Sequence, residues 1–129
     1  DLTAALGLSQ MKKLDKHLQR RQYIQEKYNE AFSEMSEIQV PPFSYTVQHY
    51  VIKVDSDKRD KLIDYLKNKN IHTSVHYRPL HLFTQFKDES EFPVANAEWI
   101  RMITLPCQLN MTDEDIDYII YWVKEFFKI

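Results

Sequence analysis

The chain has 129 residues, 43% of them hydrophobic, which suits one domain with a packed core and is too apolar for disorder. Lys and Arg number 17 against 19 Asp and Glu, and the formal net charge of −2 gives no electrostatic case for nucleic-acid binding. A single cysteine, Cys107, excludes an intramolecular disulfide, and no apolar run approaches membrane-spanning length.

The first residues, DLTAALGLSQ, lack a basic region leading into a long apolar stretch. They are therefore not read as a secretory signal, and a cytoplasmic location is expected. The sequence opens almost directly on an amphipathic pattern, as a piece of a longer protein would. Gly7 is its one glycine, so a glycine-rich phosphate loop has no place in it. Apolar residues at Leu6, Met11, Leu14, Leu18, Ile24, Tyr28, Phe32 and Met35 follow a helical period. They predict one long helix over about 3–35, with Arg21 and Gln25 as polar interruptions of its stripe. Lys12, Lys16 and Arg20 share one face of that helix and are read as solvated. Pro41 and Pro42 stop it.

TVQHYVIKV, 46–54, is rich in β-branched residues and predicts a strand. A helix over about 57–69 follows, capped by Asp55 or Ser56, with Leu62 and Leu66 on its apolar face and Asn70 able to end it. IHTSVHY, 71–77, is the next predicted strand. Alternation puts Ile71, Thr73, Val75 and Tyr77 on one face and His72, Ser74 and His76 on the other. Residues 78–100 are irregular, with helical turns near 81–86 and 94–100. RMITLP is a short strand ended by Pro106. Thr112 caps the last helix, Asp115 completes a capping-box pattern, and Ile116, Ile119, Ile120, Val123 and Phe127 form the buried stripe. The fold class is α+β, a small sheet covered by helices in one domain, 1–129. The strands at 46–54, 71–77 and 101–105 are expected in one sheet.

Three histidines, His72, His76 and His81, invite a metal reading, but no carboxylate or cysteine stands at familiar ligand spacing beside them. Cys107 and Ser74 lack triad partners from distant segments; a buried thiol and a surface serine are the plainer readings. The tail IIYWVKEFF has the period of a helix buried on its own sheet. VHYRPLH, 75–81, is different. It sets a tyrosine and two histidines around a strand end stiffened by Pro79. Those groups suit hydrogen bonding to a polar ligand, and they equally suit strand-end residues covering a core. The residues alone leave both open.

The whole chain resembles the C-terminal part of the DegT/StrS-type sugar aminotransferases. DLTAALGLSQMKKLD, QHYVIKVD, RDKLIDYLKNKNIHTSVHYRPLHLFTQF and FPVANAEWIRMITLPCQLNMTDEDIDYIIYWVKEFF carry the resemblance, in family order. VHYRPLH followed by FPVANAE and TLP is its most specific part. The resemblance implies the small C-terminal domain of a type I pyridoxal-phosphate fold. It implies transfer of an amino group, usually from glutamate, to a keto group on a nucleotide-linked sugar, and a homodimeric full-length enzyme. The Schiff-base lysine and the pyridoxal phosphate would belong to a large domain outside this chain, so no catalytic or cofactor-binding residue is assigned. The asparagine-tyrosine-arginine signature would lie just before Asp1. His76, Tyr77 and His81 match the loop bordering the sugar-nucleotide entrance and are expected to bind substrate. His49 matches the family's strand histidine, which is either structural or faces the cofactor cleft, and Arg78 stands at a position that varies in the family; neither is assigned a role. A stand-alone binding module of the same fold and a histidine metal protein are the alternatives.

Overall fold

The computed structural model describes residues 1–87 and 91–128. Helices α1 (Leu2–Met11) and α2 (Leu14–Phe32) open the chain. Strand β1 (Tyr50–Lys53) and helix α3 (Ser56–Lys67) follow. Two 3-10 turns, Leu80–Leu82 and Thr84–Phe86, lead to α4 (Pro93–Trp99), β2 (Met102–Leu105) and α5 (Asp113–Phe126). The α+β class with a small helix-covered sheet is as expected.

The predicted single helix breaks at Lys12–Lys13. Lys13 sits at φ −104°, ψ −3°, with no side chain capping the start of α2. No residue of α1 is buried, so no packing holds it in line with α2. Gln25, expected as a polar interruption, is instead fully buried. Its amide donates to Ser44 O at 3.2 Å and accepts from Ser44 N at 2.9 Å. A buried amide is tolerated because both of its faces are satisfied. That pair fixes the loop after Pro41 and Pro42 against α2.

β1 is shorter than the predicted 46–54. It pairs antiparallel with β2 in the register Tyr50↔Leu105, Val51↔Thr104, Ile52↔Ile103, Lys53↔Met102. The predicted strand 71–77 is not a ladder strand. It meets β2 at one point, where Ser74 N donates to Thr104 O at 3.1 Å and Thr104 N donates to Ser74 O at 2.7 Å. On the outer side of β1, Gln39 and Lys53 form another single bridge. β2 therefore lies between β1 and the 74 segment, and α3 connects the two segments it separates. Asn70 ends this crossover at φ 57°, a left-handed conformation that Asn tolerates, while Ile71 N donates to Leu66 O at 2.9 Å.

Parity then decides the two faces of the sheet. Tyr50, Ile52, Ile103 and Leu105 point to the helices and join Ile24, Tyr28 and Phe32 of α2, Leu62 and Leu66 of α3, and Ile116, Ile119 and Val123 of α5 in one core. Tyr28 stacks on Phe32 at 5.8 Å and donates its hydroxyl to Pro106 O at 2.9 Å. Burial raises the Tyr28 and Tyr50 hydroxyls far above the ordinary tyrosine range, so both stay neutral donors. At the start of α5, Thr112 Oγ1 accepts from Asp115 N at 3.1 Å, and Thr112 N donates to Asp115 Oδ2 at 2.8 Å, the predicted capping box. Asp113 in that first turn takes Arg20 Nη1 at 2.8 Å and the Tyr23 hydroxyl at 3.0 Å, tying α5 to α2.

Candidate functional site

The sheet face turned away from the core carries Thr104 and the residues of matching parity around it. A cleft of about 430 Å³ opens there, lined among others by Arg21, His49, His72, Ser74, His76 and Thr104. The predicted alternation of 72, 74 and 76 is what brings those three side chains to one face, although the segment forms a single bridge and no strand. His49 precedes Tyr50, so it projects to the face opposite the core.

The His76 ring stacks on His49, with centroids 4.0 Å apart and planes 17° from parallel. His76 Nδ1 lies 3.0 Å from Thr104 Oγ1, which fixes the ring's orientation. Tyr77 stands edge-on to both rings, at 4.7 Å from His76 and 6.2 Å from His49. It was expected on the face of Ile71, yet 72% of its surface is exposed. A phenol thus stands against two imidazoles that line the cleft. His49 is held below the ordinary histidine range, first by desolvation, then by the charges of His76 and Arg21. The ring is therefore mostly neutral at neutral pH and able both to accept and to donate.

His81 occupies a different spot. Its ring stacks on Phe92 at 4.6 Å, and Nε2 donates to Asn96 Oδ1 at 2.9 Å. The structure therefore joins His76 and Tyr77 to His49 and places His81 beside α4. Arg78, between them, donates to Leu82 O at 3.0 Å and lies over the Phe83 and Trp99 rings, a packing role. Among the described residues no group of three His, Cys, Asp or Glu side chains is placed to hold a metal ion.

Three cleft residues escaped the sequence reading. Thr104 was read only as part of a strand, Arg21 as an interruption of a helical stripe, and Cys107 as a buried thiol. Cys107 is indeed 8% exposed, and burial pushes its thiol up while Arg21 acts in the opposite sense. The one usable signal for Thr104 was its parity against Ile103 and Leu105. A second hollow of about 470 Å³ shares His72, Pro106 and Gln108 with the cleft, so the two form a continuous depression beside the start of α5.

A helix-backed antiparallel sheet with an imidazole-rich cleft on its open face makes this an α+β domain. The chain belongs to the DegT/DnrJ/EryC1/StrS aminotransferase family, which it matches over residues 1–124. It is 35% identical over 142 residues to the spore coat polysaccharide biosynthesis protein SpsC of Bacillus subtilis, covering 99% of this chain and 36% of that protein. It is 27% identical over 121 residues to the dTDP-4-dehydro-2,3,6-trideoxy-D-glucose 4-aminotransferase of Saccharopolyspora spinosa, covering 90% of this chain and 31% of that one. The Streptococcus pneumoniae protein Spr1654, assigned as a sugar aminotransferase and solved in its PLP form, superposes with a TM-score of 0.89 at 32% identity, covering 99% of this chain and 36% of its own. The chain thus spans about a third of the length of these relatives.

The cleft does not by itself fit pyridoxal phosphate. No lysine lines it. Gly7, the one glycine, lies in α1 with no atom within 4 Å of where a Cβ would stand, so it cradles nothing.

Proposed function

We propose that this chain is the C-terminal domain of a nucleotide-sugar aminotransferase, with His76, Tyr77 and His81 serving the sugar side of the site. The amino donor in this reading is glutamate, and the complete enzyme is a cytoplasmic homodimer. Pyridoxal phosphate is held by a large domain outside this chain, and the chain alone is inactive. Its part is to position the substrate. The observation that carries the reading is the family match over residues 1–124, combined with an open cleft lined by His49 and His76, against whose rings Tyr77 packs. Imidazole and phenol groups hydrogen-bond to sugar hydroxyls and to phosphate oxygens alike.

The test is His76→Ala and His81→Ala in the complete enzyme, with both half-reactions measured. Losing one neutral hydrogen bond costs about 0.5–1.5 kcal/mol, roughly two- to twelvefold. The keto-sugar half-reaction should lose that much, through a higher Michaelis constant if binding is uniform, while the glutamate half-reaction holds. Equal loss in both halves would assign these side chains to folding or to the cofactor. No loss in either would return them to covering the core.

A further inference from the structure

We infer that Arg21 is the anchor for a substrate oxyanion in the cleft beside the stacked His49 and His76 rings. The inference rests on the aminotransferase reading only for the source of that anion, a donor carboxylate or the diphosphate of a nucleotide sugar.

Two successive arginines of α2 make the case by contrast. Arg20 is paired: its Nη1 meets Asp113 Oδ1 at 2.8 Å and its Nη2 donates to Met111 O at 2.5 Å. Among the described residues Arg21 makes one hydrogen bond, a long 3.5 Å approach of Nη1 to Val47 O. Its Nε–H is buried with no acceptor. Among the described residues no carboxylate stands within ion-pair distance of it. A half-buried guanidinium without a counter-charge is costly, and a 3.5 Å hydrogen bond repays little of that cost.

Among the described residues the lining of the cleft itself includes no Asp or Glu, and Asp115 in the adjoining hollow is already engaged, accepting from Thr112 N at 2.8 Å. Its other polar groups are the imidazoles of His49, His72 and His76, the hydroxyls of Ser74 and Thr104, and the amides of Gln48 and Gln108. A neutral ligand would leave the fixed positive charge uncompensated. A carboxylate or phosphate would meet a planar donor fork able to bind it in two-point fashion, with ring N–H and hydroxyl donors around it. The charge of Arg21 also bears on His49, whose protonation it disfavours. An anion placed between them reverses that influence, so anion binding and His49 protonation should strengthen each other.

The test is a titration of the 129-residue chain with glutarate and, separately, with pyrophosphate, at constant ionic strength. It is followed by NMR on the Arg21 Nε–H and His49 imidazole resonances. At millimolar anion the Arg21 resonance should move to saturation with one of the two, and the His49 pKa should rise. Saturation by glutarate assigns the site to the donor carboxylate, saturation by pyrophosphate to the diphosphate, and either upholds the inference. Arg21→Gln should weaken binding at least roughly tenfold, the loss expected of a charge-assisted hydrogen bond, with Arg21→Lys intermediate. The wild-type Arg21 resonance decides the matter even if a variant fails to fold. An Arg21 resonance that ignores both anions, or undiminished binding in a folded Arg21→Gln chain, overturns the inference. Absence of aminotransferase activity in the complete enzyme would overturn the functional reading and leave these titrations untouched.

Discussion

Helices α1 and α2 are separated only by Lys12 and Lys13, and their apolar residues continue one periodic pattern. In α2, Ile24, Gln25, Tyr28 and Phe32 are buried. In α1 nothing is buried, and Leu2, Leu6, Leu8 and Met11 stand 61–88% exposed. Both segments are helical, so backbone propensity does not separate them. The difference is what lies opposite. α2 has the sheet and α5 against it, and among the described residues no element covers α1. An apolar stripe is a capacity for burial, and its contribution to stability depends on the partner surface.

The strongest way to sharpen that comparison is to empty the α2 side. Phe32→Ala removes a fully buried ring stacked on Tyr28 and should cost about 3–5 kcal/mol in chemical denaturation. A loss below about 1 kcal/mol would mean that α2 is not docked as described. Next is the cap that starts α5, the helix packed against α2. Thr112→Ala should cost about 0.5–2 kcal/mol, because Asp115 N loses its acceptor.

A smaller effect comes from the Asp113 tie between α2 and α5. Arg20, then Tyr23, hold its carboxyl below the ordinary aspartate range. A depressed carboxylate contributes stability that is present above its unfolded pKa and is lost as pH falls through the folded one. The melting temperature of the wild-type chain should therefore drop more on acidification below pH ~4 than that of Asp113→Asn. Equal drops would show that the pair is solvent-screened to no effect. The smallest change is expected in α1. Leu6→Ala should leave stability within about 0.5 kcal/mol, since Leu6 is 61% exposed and outside the core. A larger loss, or one that depends on protein concentration, would reveal that α1 is packed in solution and would break the contrast.

Local signals in this sequence carried well. The Thr112–Asp115 capping box needs only the spacing of two side chains along one helix. The stripe Ile116, Ile119 and Val123 needs only the helical period, and Asn70 at the end of α3 needs only its tolerance of positive φ. The parity of His72, Ser74 and His76 held as well, because side-chain alternation follows from extended backbone whether or not a full ladder forms. The extent of the 71–77 segment's pairing was not legible. Its β-branched residues state a preference, and only the position of Thr104 set the single point of contact. The burial of Gln25 depended on Ser44, which arrives through a loop after two prolines.

The candidate site divides along the same line. The sequence by itself determined that a tyrosine and histidines gather around Pro79, and its resemblance pointed to sugar aminotransferases. It also determined, through one glycine, that no phosphate loop is built here. Only the tertiary structure joined His76 to His49 and Thr104, moved His81 to Asn96 and Phe92, and set Arg21 in a cleft where no described carboxylate pairs with it. The physical reason is range. Helical and strand periods repeat over a few residues and are written in neighbouring side chains. The charge partner of an arginine, the stacking partner of a histidine and the cover over an apolar face come from segments tens of residues away, and they exist only once the chain has closed on itself.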